Sequence, residues 1–266
     1  MIDQILSTVF RNQWFVISIT SALLMGMAEL GFRFGLRLHH AKDEPRKGQI
    51  AGTQGAILGM LALLLGFTLA LAASRYEARR GLVLQEANAI GTTYLRAELL
   101  PESHQKEVGN LLRQYVDVRL AFYQAGASKP KQAEAERAAA RLQSELWKHA
   151  VASAKEAPTA MVATFINALN ETIDLDATRM DSLRNHIPGA MWLLVLALAA
   201  CGSYANGYAA GASGARSLFT NILLPLVISI AITLIADLDR PRGGLIGISQ
   251  QPLLDLKQSL QTTPVE

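Results

Sequence analysis

Apolar and charged stretches alternate along the chain of 266 residues, and four of the apolar stretches carry no charged side chain. A helix of about 20 residues crosses a hydrocarbon layer about 30 Å thick, so each stretch is close to the length of one crossing. No segment of useful length alternates apolar and polar residues as a half-buried strand does. The pattern therefore predicts an all-α integral membrane protein with four transmembrane helices. The stretches are residues 12–28, 48–74, 187–215 and 217–236.

The segment between the second and third stretches has a different character. It carries 15 Lys+Arg and 14 Asp+Glu, interspersed with apolar residues at helical spacing, which is typical of a folded helical domain. Start and stop signals predict one helix between Pro101 and Gly126, a second from Lys131 to about Ser153 and a third from Pro158 to Leu183. The predicted segments are a first helix pair at 12–74, a helical domain at 75–186, a second helix pair at 187–236 and a C-terminal tail at 237–266.

Four crossings place both termini and the helical domain on the same side of the membrane. Basic residues near the ends of the stretches number seven on that side and six on the other. The positive-inside rule therefore favours, by a small difference, a cytosolic helical extension with cytoplasmic N- and C-termini.

Composition and motifs exclude several classes of function. The single cysteine, Cys201, cannot form an internal disulfide. The signatures of zinc proteases, serine hydrolases and nucleotide-binding loops are absent, so we expect neither an enzyme nor a cofactor. No basic patch with interleaved aromatic residues supports nucleic-acid binding. We expect no metal site, because two histidines are adjacent and face different ways while the others are scattered: His39 and His40, then His104, His149 and His186.

The second apolar stretch has side chains at every fourth position on one slanting stripe, namely Gly59, Leu63, Phe67 and Leu71. Residues 64–80 contain no helix-ending signal, so one continuous helix is predicted to run from the apolar stretch into charged residues. Two interpretations fit the stripe. It belongs to a helix in the core of a bundle, which spacing alone favours, or it lines a pore with a hydrophobic constriction.

Charged residues at the ends of the first two stretches also have two interpretations. Arg75 and Arg79 follow the second stretch and either anchor the helix to anionic lipid or lie at the cytosolic mouth of a pore. Their field at such a mouth would be partly offset by Glu77 and Glu86 on neighbouring faces. Glu29, Arg33 and Arg37 are spaced four apart on one helix face, where they predict a ladder of ion pairs. They mark either an interfacial helix end or an outer vestibule.

Three segments carry a resemblance to a known family. Leu65-Gly66-Phe67 followed by Tyr76-Glu77-Ala78-Arg79 resembles the end of the second transmembrane helix of bestrophins. The tract EANAIGTTYLRAELLP, residues 86–101, resembles the bacterial bestrophin-like domain family, whose role is uncharacterised. The tail is similar too, with a Pro-x-Gly turn at 241–243 followed by a short leucine-bearing helix.

The resemblance implies a homopentameric channel in the bacterial inner membrane, with copies of the chain, membrane lipid and small inorganic ions as partners. Carried over by position, the pore neck would be lined by Phe67, Leu63 and Gly59. Gly59 departs from the family pattern, since bestrophin necks have bulky apolar side chains there. The tail lacks the acidic run of calcium-sensing bestrophins, so no calcium site of that type is expected.

The function predicted from these observations is a bestrophin-like oligomeric ion channel that passes small ions through a hydrophobic neck. The alternative is a non-conducting membrane protein that scaffolds or signals through its cytosolic helical domain. Fold alone does not separate these two classes.

Overall fold

Eight α-helices and no strand are found in the residues that the computed structural model describes, which are 13–37, 44–126, 128–214, 218–240 and 245–262. The Pro-x-Gly turn at 241–243 and the adjacent histidines at 39 and 40 lie outside these ranges. The helices are α1 (Gln13–Leu36), α2 (Glu44–Ala97), α3 (Glu102–Gln124), α4 (Lys129–Glu156), α5 (Ala160–Arg184), α6 (Gly189–Ser213), α7 (Leu218–Asp239) and α8 (Gln251–Thr262).

The second helix confirms the prediction of a single rod through residues 64–80. It is 54 residues long, which corresponds to about 80 Å at 1.5 Å per residue. Four stretches of helix, in α1, α2, α6 and α7, are long and apolar enough to cross a membrane. The protein is thus an all-α membrane protein with four spans and a helical extension.

The helices group into two compact units. The first comprises Met1–Tyr76 and His186–Ile246, and the second comprises Glu77–Asn185 and Gly247–Glu266. The tail helix α8 therefore packs with the helical extension. The finer division into four segments stays a prediction.

The first unit depends on a close approach of α1 to α6. Gly31 and Gly35 on α1 face the backbone carbonyls of Tyr204 and Tyr208 on α6, and a β-carbon at either glycine would collide with them. Reciprocally, Gly207 and Gly211 on α6 face carbonyls of α1. Each helix thus presents a Gly-x-x-x-Gly pair to the other, the arrangement that permits close van der Waals packing in lipid.

The second unit has a continuous apolar core with two buried tyrosines, Tyr94 and Tyr115. Thr159 caps α5 by accepting a hydrogen bond from the Val162 backbone N–H at 3.3 Å. The tail helix α8 buries Leu253 and Leu260 in the same core. Other buried members are Ile90, Leu112, Leu146, Phe165 and Leu169.

Candidate functional site

Three residues of the stripe on α2, Gly59, Leu63 and Phe67, lie on the exposed face of the helix, whereas Leu71 is half-buried against the apolar core of the first unit. The side chains of Leu63 and Phe67 are 60% and 64% exposed, and a β-carbon at Gly59 would meet no described atom within 4 Å. The opposite face packs into the first unit through Leu61 and Ala72, which are 2% and 0% exposed. One side of α2 therefore holds the chain together, and the predicted neck residues are on the other.

The second span is also the least enclosed of the four. In its most apolar window 17% of the residues are buried, against 33%, 33% and 44% in the other spans. A helix in the core of a bundle would be buried on most sides. Within the single chain, Leu63 and Phe67 are therefore not part of a buried core, and the choice between a core helix and a pore-lining helix depends on what covers this face. The free face of α2 is available to lipid, to water or to other copies.

Arg75 pairs with the end of α7. Its Nη1 atom lies 3.8 Å from Oδ1 of Asp239, a carboxylate with no exposed surface. The same carboxylate oxygen accepts a hydrogen bond from the Ile187 backbone N–H at 3.0 Å, just before α6. Arg75 and Asp239 thus join three apolar helices at their charged ends.

Arg79 has a different environment from the one expected of a residue at a pore mouth. Its side chain is 4% exposed, and it donates hydrogen bonds to the carbonyls of Ser182 at 3.0 Å and Asn185 at 2.8 Å. The last carbonyls of a helix lack partners and carry partial negative charge, which explains why a guanidinium is held at the end of α5. Exposed charge in this part of α2 comes instead from the 3.7 Å pair of Arg80 and Glu77.

Glu29 and Arg33 form the predicted pair on α1, with Nε of Arg33 donating to Oε1 of Glu29 at 2.9 Å. The Arg33 side chain is 72% exposed, so the pair contributes little stability. The ladder ends there, because Arg37 places its guanidinium 4.9 Å from the ring centroid of Phe34. A vestibule role for Glu29 and Arg33 stays a prediction.

A buried cluster of four charged side chains lies in the second unit, and the sequence analysis did not predict it. Glu86 on α2 accepts a hydrogen bond from Nε of Arg119 at 2.6 Å and also pairs with Arg179 on α5. Arg119 pairs in addition with Asp176. Glu86, Arg119 and Arg179 are 0%, 1% and 2% exposed. The expectation that Glu86 offsets charge at a mouth is therefore wrong, since its charge is neutralised inside the unit.

Neutral polar groups complete this cluster. Nε2 of Gln143 on α4 lies within donating distance of two oxygens, Oη of Tyr115 at 3.0 Å and Oδ2 of Asp176 at 2.8 Å. Arg179 donates to Oε1 of Gln250, which immediately precedes α8, at 3.2 Å. The cluster therefore connects α2, α3, α4, α5 and the start of the tail helix. The signal in the sequence was a charged residue on an otherwise apolar helix face, with Val83 and Ile90 flanking Glu86.

Tyr115 gives the second unit a specific dependence on alkaline pH. Burial raises the pKa of Tyr115 to about 12, so its phenol stays protonated in the folded protein when an unfolded tyrosine, near 10, has ionised. A raised folded-state pKa supplies stability below pH 10 that is lost as the pH rises to about 12. The free energy of unfolding of the wild type is expected to fall by about 2–3 kcal/mol more than that of Tyr115→Phe over this range. Thermal unfolding of both proteins in detergent at a series of pH values measures this difference. The same loss of stability with rising pH in the wild type and in Tyr115→Phe would refute the prediction.

Two histidines that are distant in sequence are neighbours in the structure. Nδ1 of His104 lies 2.9 Å from Nδ1 of His149, and Nε2 of His104 lies 3.3 Å from Glu156. The carboxylate is on the far side of the His104 ring, so these three side chains do not converge on one point. In the described part of the chain, no group of three or more His, Cys, Asp or Glu side chains is arranged to hold a metal ion.

The family model of the Bestrophin-like domain matches residues 14–253. The chain belongs to the Bestrophin-like domain family. No match is found among functionally curated proteins.

Solved structures show the same fold. A variant of a bacterial bestrophin homologue from Klebsiella pneumoniae has a TM-score of 0.65 and 13% identity, covering 94% of this chain and 98% of that one. A second variant has a TM-score of 0.64 and 15% identity, covering 91% and 97%. A structure described as a membrane protein has a TM-score of 0.66 and 13% identity, covering 94% and 98%. At 13% to 15% sequence identity, the similarity to these structures establishes the fold of this chain.

Proposed function

We propose that this Bestrophin-like protein is an oligomeric ion channel, a pentamer of identical chains in which α2 of each copy faces a central axis. The observation that carries the proposal is the free face of α2. It combines the least buried span with bulky apolar side chains, Leu63 and Phe67, at helical spacing. Small inorganic ions would pass along this face.

Leu63 and Phe67 would each form a ring of identical side chains around the axis. A ring of apolar side chains holds water poorly, so it gates conduction by dewetting. Gly59, one turn before Leu63, contributes no side chain and leaves a wider ring. The neck is thus expected to be narrowest at Leu63 and Phe67.

Charged residues are proposed to act at the two ends of this pathway. Arg75 and Arg79 would hold α2 in place on the cytosolic side through their contacts with Asp239 and with the end of α5. Glu29 and Arg33 would face the outer vestibule. The proposed location is the bacterial inner membrane, with the helical extension and both termini in the cytoplasm.

Shortening the neck side chains is the direct test of the lining. Leu63→Ala and Phe67→Ala are each expected to raise the current of the reconstituted protein several-fold, because a less apolar and wider ring stays hydrated. Leu69→Ala is the matched control, since Leu69 lies about 160° around the helix from Phe67. Planar-bilayer recordings at matched protein density measure the difference. Equal currents for the neck and control variants would exclude this lining.

The number of copies separates the channel from the scaffold alternative. Native mass spectrometry in detergent is expected to give five chains per particle. A monomer would contradict the channel, because the exposed face of one α2 cannot enclose a pathway. Silent bilayers for the wild type and both neck variants, with a stoichiometric cytosolic partner bound, would favour a non-conducting scaffold.

A further inference from the structure

A groove in the first unit is separate from the proposed neck. It has a volume of about 770 Å³, within the range of ligand pockets, and lies between α1, the beginning of α2 and the end of α6. Its walls include Met27, Ile50, Thr53, Ile57, Cys201 and Tyr204.

The lining changes from polar to apolar along the groove. Near the beginning of α2 and the end of α6 it carries three polar side chains, Gln49, Thr53 and Tyr208, together with Ile50. At 1.5 Å per residue, Ile57 lies about 12 Å along α2 from Gln49, and Cys201 lies about 10 Å along α6 from Tyr208. Each helix crosses the membrane once, so the polar end lies toward the membrane surface and the apolar end toward its interior. A phospholipid is arranged in the same way, with a polar headgroup at the membrane surface and an apolar acyl chain in the interior.

Gln54, a further polar residue of the lining, already has a hydrogen-bond partner. Gln54 donates from Nε2 to Oδ1 of Asn206 at 3.0 Å, and Asn206 donates to Asn221 at 3.4 Å. A ligand in the deep part of the groove therefore needs hydrocarbon rather than hydrogen-bonding groups.

The position of the groove on α2 indicates whether lipid or another copy covers it. Ile50 and Ile57 point about 160° to 180° away from Gly59 around the helix axis. If the face of Gly59 is turned to the pore, as the proposed function requires, the groove is turned away from the axis and toward the bilayer. We infer that it binds one acyl chain of a membrane phospholipid, with the headgroup beside Gln49, Thr53 and Tyr208.

Native mass spectrometry of the delipidated full-length protein, after addition of phosphatidylcholine, tests this inference. Wild type is expected to retain one lipid per chain, and Ala205→Trp, which fills the groove, is expected to retain none. Leu194→Trp is the control, because Leu194 is 51% exposed on the same helix and does not line the groove. Equal retention by all three proteins, whether one lipid or none, would overturn the inference.

Cys201 provides a second measurement that needs no substitution. It is the single cysteine of the chain and is exposed in the groove. Its reaction with a maleimide in detergent is expected to slow several-fold when phosphatidylcholine is added, because a bound chain covers the thiol. An unchanged rate would overturn the inference, and so would full protection before lipid is added, which would mean that a second copy covers the groove. Neither measurement records current, so lipid binding and conduction can fail independently.

Discussion

Replacing Glu86 by alanine is expected to lower the free energy of unfolding by about 3–5 kcal/mol, because it leaves buried arginine charge without its counter-ion. Arg119 and Arg179 both pair with this carboxylate and are almost fully enclosed. Asp176 offsets only part of the remaining charge, since it pairs with Arg119. Thermal unfolding of the full-length protein in detergent, followed by circular dichroism, is expected to show a Tm lower by roughly 10 °C.

Glu77→Ala is the matched control for this prediction. Glu77 lies on the same helix, but its side chain is 64% exposed and its partner is the equally exposed Arg80. An exposed pair of this kind contributes about 0–1 kcal/mol, so the control is expected to unfold close to the wild type. If Glu86→Ala and Glu77→Ala unfold at the same temperature, the buried cluster does not stabilise the second unit.

The second large effect is expected at Gly207. A leucine there places its β-carbon against the Ala28 carbonyl, and backbone atoms cannot move aside as a flexible side chain does. The α1 and α6 helices must therefore separate, which removes the close packing that holds them together in lipid. We expect overpacking to cost about 3 kcal/mol or more, and the yield of monodisperse protein in size-exclusion chromatography to fall sharply.

Gly26→Leu tests whether the effect comes from the contact rather than from the loss of a glycine. Gly26 is also on α1, but a β-carbon there meets no described atom within 4 Å. This variant is expected to give normal yield and Tm. Similar losses for Gly26→Leu and Gly207→Leu would contradict the role of the interlocking glycines.

Local signals predicted much of the fold. The apolar stretches located the four spans, and the lack of a helix-ending signal predicted the continuity of α2. The helix predicted between Pro101 and Gly126 is α3, Glu102–Gln124, and Gly126 has a φ of +52°, a conformation that favours glycine. Such features depend on residues near one another in sequence, which is why they are predictable.

Partners that are distant in sequence were not predictable in the same way. From the sequence alone, Glu86 would be assigned to the surface. Its burial follows from its pairing with Arg119 and Arg179, which lie on other helices. The sequence shows that Arg79 follows the predicted neck, but it does not show that Arg79 donates hydrogen bonds to carbonyls at the end of α5. In both cases the environment of the charge is set by another helix.

The candidate neck is intermediate between these cases. Spacing identified Leu63 and Phe67 as one stripe, but it could not tell a buried stripe from a free one. The exposure of both side chains resolves that choice for the single chain. Whether the stripe faces a pore depends on the arrangement of several copies, which a single sequence does not encode in any local pattern.

Thiol modification at the neck tests the channel proposal most directly. In a Cys201→Ala background, Phe67→Cys is expected to conduct, and a charged water-soluble thiol reagent is expected to change that current at once. Leu69→Cys in the same background is expected to be unaffected. A current from Phe67→Cys that the reagent leaves unchanged, or no current from any of these proteins, would contradict a conducting neck lined by α2.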